Sequence, residues 1–347
     1  MALSKIQTSE MLDTPNLGRR NLVINGAMQV AQRATSVTGL GGTSDTGYQT
    51  VDRFRMTCGS TAGRFTQSQV ADVHDGFAYA LKLDCTTADT SIAAGESTIL
   101  ETRFEGQDLQ QLKKGTSDAE KFTVSFYVKG NGNATYTCEL RDQDNTRNIS
   151  QEFAVTSSWN RIILTFNNET SNALDNDKAS SMVLNIWLHA GSNFTSGTHA
   201  VNTWHTTNAN RLSDSQSSFF SSTDNNFFIT GLQMEVGSVA TPFEHRSFGE
   251  ELALCQRYFE TGSFSQRISG SLVRTGQSYM TTKRSSATVN VYYNPNKAAA
   301  GTINVSNSAD SGWNEGGNVN FWNMEKNTGT DHNGRDYNGF WTAEAEI

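Results

Sequence analysis

Four cysteines are scattered through the 347 residues, at Cys58, Cys85, Cys138 and Cys255. None stands at CxxC spacing, and the six histidines do not cluster beside them, so zinc-type ligation has no motif to rest on. Cys85, Cys138 and Cys255 fall in the apolar phase of their local patterns and read as buried free thiols, which suits assembly in a reducing cytoplasm. No run approaches about 18 apolar residues, and the N-terminal stretch MALSKIQTSEML has no apolar core, so neither a membrane span nor a signal peptide is expected. A basic stripe is missing as well. The net charge is −8, which disfavours nucleic acid, although local charge can differ from the net and acidic polysaccharide stays open. There is no repeat of 20–50 residues, which counts against a β-helix or a propeller. G-x-S-x-G, HExxH, P-loop and GxGxxG signatures are all absent, so no enzymatic activity is expected. A glycosidase would need two carboxylates about 5–10 Å apart, which sequence alone does not place.

What is present is polar and aromatic. Only three residues are proline, yet there are 19 Phe, nine Tyr and six Trp, far too many for a chain that never buries them. Short alternating runs dominate. Phe54, Met56 and Cys58 alternate; so do Tyr79, Leu81, Leu83 and Cys85. Phe122, Val124, Phe126 and Val128 line one face of FTVSFYVK, and Tyr136, Cys138 and Leu140 follow across the turn GNGN. Ile162, Leu164 and Phe166 form another run. Met182, Leu184, Ile186 and Leu188 form a further strand, with Val183 and Trp187 giving it a second apolar face, which predicts a central position. The spacing predicts an all-β protein built as an antiparallel two-sheet sandwich. From Phe227 a strand pattern places Phe228, Thr230, Leu232, Met234 and Val236 on one face. After Pro242 comes a helical pattern, with Leu252, Cys255, Tyr258 and Phe259 on one side and Glu250 and Glu251 in the first turn.

Two long motifs carry a resemblance. GLQMEVGSVATPFEHRS…EELALCQRYF, together with NLGRRNLVINGAMQVAQRATS and TVDRFRM (Asn16 to Ser36, Thr50 to Met56), resembles tail-fibre and other host-binding virion proteins of bacteriophages, especially those of marine cyanobacterial hosts. The pattern SFYVKGNG…YTCELRD…VTSSWNRIILTF resembles the galactose-binding-like, jelly-roll sandwiches of carbohydrate-binding modules. These resemblances imply a non-enzymatic virion tail protein that recognises host-surface polysaccharide or lipopolysaccharide through multivalent binding. Such a protein is usually a homotrimer, attached to other tail proteins by its N-terminal arm. The alternatives are a structural decoration protein of tail or head, or a polysaccharide depolymerase.

The implied organisation is an arm at 1–20, a jelly-roll sandwich at 21–247, a linking helix at 248–261 and a smaller distal β domain at 262–347. Within the distal part, aromatic rings suited to sugar C–H faces alternate with polar groups suited to hydroxyls. Trp313, Asp331, His332, Asn333, Asp336 and Tyr337 are the candidate glycan-binding residues. Leu252, Cys255 and Phe259 are the candidate seam about a threefold axis, unless they face only their own chain. No cofactor is implied. The acidic loops Asp142–Asn145 and Asp175–Asp177 could lend oxygens to Ca²⁺ but lack a full ligand motif, and solvated turns are the simpler reading. Trp204 and His205, in a polar loop, read either as a ligand contact or as a plug for one end of the sandwich.

Overall fold

The computed structural model describes residues 19–42, 45–268, 272–292, 302–305, 308–311, 314–327 and 335–347. The chain forms two compact units. The first takes in residues up to 29, 36–50 and 54–246, and the second takes in 30–35, 51–53 and 247–347.

The first unit is an antiparallel jelly-roll β-sandwich. One sheet runs in the order β1 (Ser36–Leu40), β4 (Arg64–Val70), β5 (Ala80–Thr87), β12 (Asn226–Val236), β7 (Phe122–Gly130) and β10 (Asn160–Phe166). The other runs β2 (Gly47–Tyr48), β3 (Arg55–Gly59), β6 (Ser97–Glu105), β11 (Ser180–Ala190), β8 (Ala134–Asp142) and β9 (Arg147–Val155). Strand β11 lies between β6 and β8, as its two apolar faces predict. The core fills the gap between the sheets. Phe126 meets Phe153 edge-on at 5.1 Å, and Tyr136 meets Phe227 at 5.7 Å, joining residues of opposite sheets. Each large apolar ring buried in this way contributes about 1.5–3 kcal/mol. All four cysteines are free and buried here or in the second unit.

Two local readings are corrected. The GNGN turn joins β7 to β8 across the two sheets, not as a hairpin within one, and neither Gly130 nor Gly132 adopts positive φ. In β12 the alternation is not continuous. Gly231, at φ +62°, sits in a bulge between Thr230 and Gln233 in the pairing with β7. The extra residue resets the phase, so the core-facing set is Phe227 and Ile229 before the bulge, then Leu232 and Met234 after it. Phe228 faces the other way, beside its cross-strand neighbours Lys82 and Lys129.

The C-terminal part of the second unit opens with helix α2 (Phe248–Gln256); α1 is a single turn, Ser192–Thr195, in the first unit. Ser247 and Glu250 cap α2 reciprocally: the Ser247 hydroxyl accepts from the Glu250 amide, and the Glu250 carboxylate accepts from the Ser247 amide. The helix was expected to run through Phe259, but it stops at Gln256, and Phe259 opens strand β13 (Phe259–Ile268) opposite Glu344. The helix is also grouped with the C-terminal strands instead of standing apart as a linker. Strand β20 (Arg335–Glu344) pairs with β13, β15 (Thr288–Tyr292) and β16 (Thr302–Val305), and β16 pairs with β17 (Ser308–Ser311). A three-stranded sheet runs β14 (Leu272–Ser278), β19 (Phe321–Asn327) and β18 (Asn314–Gly317). The alternation at the C-terminus is realised: Trp341, Ala343 and Ala345 are buried in one cluster with Phe264, Trp322 and Val291. Trp341 lies 5.5 Å from Trp322, its indole N–H donating to Gln277 Oε1 at 3.1 Å.

Candidate functional site

The outer face of the second sheet carries the most organised polar constellation in the sandwich. Strand register alone assembles it. Arg55 (β3) lies opposite Glu101 (β6), Glu101 opposite Asn185 (β11), and Asn185 opposite Glu139 (β8), one row across four strands. The next row is Arg103, Val183 and Arg141, and the row on the other side is Thr57, Ile99, Trp187 and Thr137. The intervening residues of these strands, among them Leu100, Leu184, Ile186, Cys138 and Leu140, point into the core. The long connection between β11 and β12 closes one wall with Phe194 and Arg211. A groove of about 310 Å³ results, lined by Arg55, Glu101, Arg103, Arg141, Asn185 and Arg211 around Val183 and Trp187.

The charges inside it are mostly satisfied. Glu139 accepts two bonds from Arg211, from Nε at 2.9 Å and from a terminal nitrogen at 2.7 Å. It also accepts the Trp187 indole N–H at 2.8 Å and the Asn185 amide at 3.4 Å. Arg211 in turn lies 4.6 Å over the Trp187 ring. Glu101 accepts from Arg55 at 2.9 Å and from Arg103 at 3.0 Å. Two groups are left over. Asn185 is 3% exposed and its Oδ1 has no hydrogen-bond donor. Arg141 makes no hydrogen bond or ion pair with any described residue, and its Nε is buried. Burial, then the neighbouring Arg211, pulls the Arg141 guanidinium below its ordinary pKa. A buried acceptor without a donor and a half-buried guanidinium without an acceptor are the groups of this face whose hydrogen-bonding capacity is unused.

The sequence pointed elsewhere. Trp313, Asp331, His332 and Asn333 lie outside the described residues. The backbone of Asp336 is in β20, opposite Arg267. Tyr337 is not an exposed ligand contact: it is fully buried, because its place in β20 shares the inward phase of Trp341. Among the described distal aromatics, Phe321 is the exposed one. It belongs to a second concavity, about 750 Å³, on the face of the three-stranded sheet. There Gly276 and Gly316 flank Asn323 and leave it bare, with Ser278 opposite Phe321 and an Arg274–Glu325 ion pair at 2.9 Å. The seam residues do not form an outward stripe. Cys255 and Phe259 are buried within the chain, and Leu252 alone is partly open.

The sequence reading missed the groove, although one signal was available. Asn185 is the sole polar residue from Met182 to Leu188 in a strand otherwise apolar on both faces. Such a residue either finds a partner or serves a ligand. Asp142, considered for Ca²⁺, is instead paired with Lys114 Nζ at 2.5 Å. Trp204 plugs the sandwich end, its indole N–H donating to the Asn167 carbonyl at 2.9 Å and its ring 4.8 Å from Lys114 Nζ. Among the described residues, histidine does join acids at one place, where ligand atoms of Asp89, Glu96 and His189 lie within 4.8 Å of one another. There Asp89 accepts from Thr61 and the Ala62 amide, while His189 sits between Glu96 and Ser218, so the trio works as a hydrogen-bonded clasp.

No family model matches the chain, and no curated protein matches it significantly. Among solved structures, the enzymatically active domain of tailspike protein 4 of bacteriophage CBA120 aligns over 62% of this chain at 13% identity and a TM-score of 0.32. Only 21% of that tailspike chain is covered. A family 61 carbohydrate-binding module in complex with β-1,4-galactotriose aligns over 62% of this chain and 99% of its own, at 11% identity and a TM-score of 0.30. The xylan-binding domain CBM22-1 of Paenibacillus barcinonensis Xyn10C aligns over 59% and 94%, at 13% identity and a TM-score of 0.28.

Proposed function

We propose that this chain is a bacteriophage virion protein that recognises a glycan on the host surface, without cleaving it, through the groove on the outer face of its sandwich. The observation that carries the reading is the pair of unsatisfied polar groups, Asn185 Oδ1 and the Arg141 guanidinium, held in a groove whose other charges are already paired. A site that presents a buried acceptor and a bare donor beside an apolar floor suits a ring bearing both hydroxyls and C–H faces. The virion assignment is supported by the sequence motifs at residues 16–56 and 227–260. The non-enzymatic assignment is supported by the state of Glu101 and Glu139. Both flank Asn185, yet each already accepts from two or more donors, which leaves neither free to hand a proton to a leaving group. Assembly as a homotrimer on the tail would let a shallow site of modest affinity act by rebinding.

The test is competition for adsorption. Purified full-length protein is added to host cells before phage, alongside Asn185→Ala and Arg141→Gln variants and a distal Phe321→Ala/Asn323→Ala variant. Blocking by wild type, lost in the groove variants and kept in the distal variant, is the expected result. The reverse pattern moves the site to the second concavity, which is the second reading and rests on exposed Phe321 beside Asn323. If folded wild type does not block, host recognition fails and a structural role replaces it. Release of reducing ends from host polysaccharide would instead mark a depolymerase.

A further inference from the structure

The sign of the groove runs against the sign of the chain. The protein has 27 Lys and Arg against 35 Asp and Glu, so an average patch of its surface is acidic. The groove is lined by four arginines, Arg55, Arg103, Arg141 and Arg211, against one carboxylate, Glu101, with Glu139 beneath. Glu101 is shared by Arg55 and Arg103, and Glu139 engages Arg211, so four guanidinium groups gather about two carboxylates. They are held in a concave, partly dehydrated wall where their field is least screened. Arg141 faces Val183 across the strand pair and makes no hydrogen bond or ion pair with any described residue, Glu139 and Glu101 reaching it only through their field. Asn185, one row away on the same face, presents its unpaired Oδ1 from a position 97% buried. A neutral sugar would satisfy Asn185 and leave Arg141 dehydrated without an acceptor. An acidic sugar satisfies both: its carboxylate or sulfate takes the Arg141 fork, and a ring hydroxyl donates to Asn185 Oδ1.

Resting on the glycan-binding reading above, we infer that the groove selects an anionic glycan, one bearing a uronate carboxylate or a sulfate, with Arg141 as the anion receptor and Asn185 as the hydroxyl receptor. Because the whole protein is acidic, non-specific attraction to polyanions works against it, and retention by one reports a local site.

The experiment is affinity electrophoresis of the full chain in gels containing one of five polymers: polygalacturonate, its methyl-esterified form, dextran sulfate, dextran and single-stranded DNA. The expected result is retardation by polygalacturonate or dextran sulfate, with the one that acts identifying the anion, and none by the neutral counterparts. Retardation should weaken steeply with NaCl and fall about tenfold or more in apparent affinity for Arg141→Gln and Asn185→Ala, each with an unchanged unfolding midpoint. Equal retardation by charged and neutral polymers overturns the charge inference while glycan binding stands. Retardation by neither charged polymer overturns it as well, and single-stranded DNA retarding the chain more than either would reassign the site to phosphate. Failure of the parent reading shows separately, as failure of wild-type protein to block adsorption.

Discussion

The guanidinium of Arg53 lies 3.5 Å over the ring centre of Tyr258, and Arg33 repeats the arrangement over Phe259 at 3.7 Å. Both arginines also pair with the Glu346 carboxylate, and Gln32 donates to the Phe259 carbonyl at 2.8 Å. The motifs QRATS, TVDRF and QRYF, far apart in sequence, therefore meet within the second unit. Their co-occurrence has a physical cause: QRATS and TVDRF each supply one cation, and QRYF supplies both rings, of two cation–π stacks.

That arrangement depends on a planar cation. Arg53→Met should cost about 3 kcal/mol by leaving Glu346 with half its compensation, and Arg53→Lys nearly as much, because an ammonium does not stack on Tyr258 as a guanidinium does. Hydrogen exchange of peptides from β13 and β20 is the measurement. Unchanged protection in both variants would show the stacks to be incidental.

Beside it, Asp52 is 1% exposed and accepts from the Gln32 amide at 3.1 Å. Burial foremost pushes its carboxyl from the ordinary 3.8 up to about 6, with Arg33 and the Gln32 bonds opposing. The folded state therefore binds this proton more tightly than the unfolded chain. The associated stability is fully present below about pH 4 and is lost as the pH rises through about 6, a swing of at most about 3 kcal/mol. Urea unfolding of wild type and Asp52→Asn across pH 3.5–7.5 should give a stability difference, wild type minus variant, that falls between about pH 4 and 6 and is flat above. A difference that rises with pH contradicts the assignment.

Lys114 acts as the cation of the loop considered for Ca²⁺. Its ammonium is held by Asp142 at 2.5 Å, Glu169 at 2.7 Å and the Asn172 carbonyl at 2.7 Å. Lys114→Ala leaves buried Asp142 without its counter-ion, while Glu169 keeps Arg147 at 2.6 Å, and should cost about 3 kcal/mol. The emptied cage offers carboxylate and carbonyl oxygens, so millimolar Ca²⁺ should restore part of the lost melting temperature in the variant and do nothing to wild type. Equal response of both proteins to Ca²⁺ would sink this.

The bulge at Gly231 sets which side chains of β12 enter the core. A Cβ there would lie 2.6 Å from the Phe77 ring and 2.9 Å from Tyr127, at a φ of +62° that L side chains resist. Gly231→Ala should destabilise by about 1–2 kcal/mol from conformation alone, before the clash is added. Deleting Gly231 should be worse, because Leu232 and Met234 then turn out of the core, and insoluble expression is the expected outcome. Wild-type stability of the deletion would mean the bulge is dispensable.

The alternating runs of Phe122–Val128, Met182–Leu188 and Trp341–Ala345 were enough, by themselves, to determine an antiparallel β-sandwich and a paired C-terminal strand. Period-two patterning is a local property, and burial follows it directly. The acidic first turn of α2 was legible for the same reason. Tertiary structure decided the rest. A single glycine shifted the phase of β12, and pairing opposite Glu344 drew Phe259, which the helical pattern had claimed, into β13. Tyr337, which composition offered to a ligand, went inside because its neighbours in β20 fixed the phase. The groove is the clearest case. Arg55, Glu101, Asn185, Glu139 and Arg141 come from four strands that are not neighbours in sequence, and only cross-strand register, with Arg211 folded over from a loop, brings them together and leaves Arg141 without a partner.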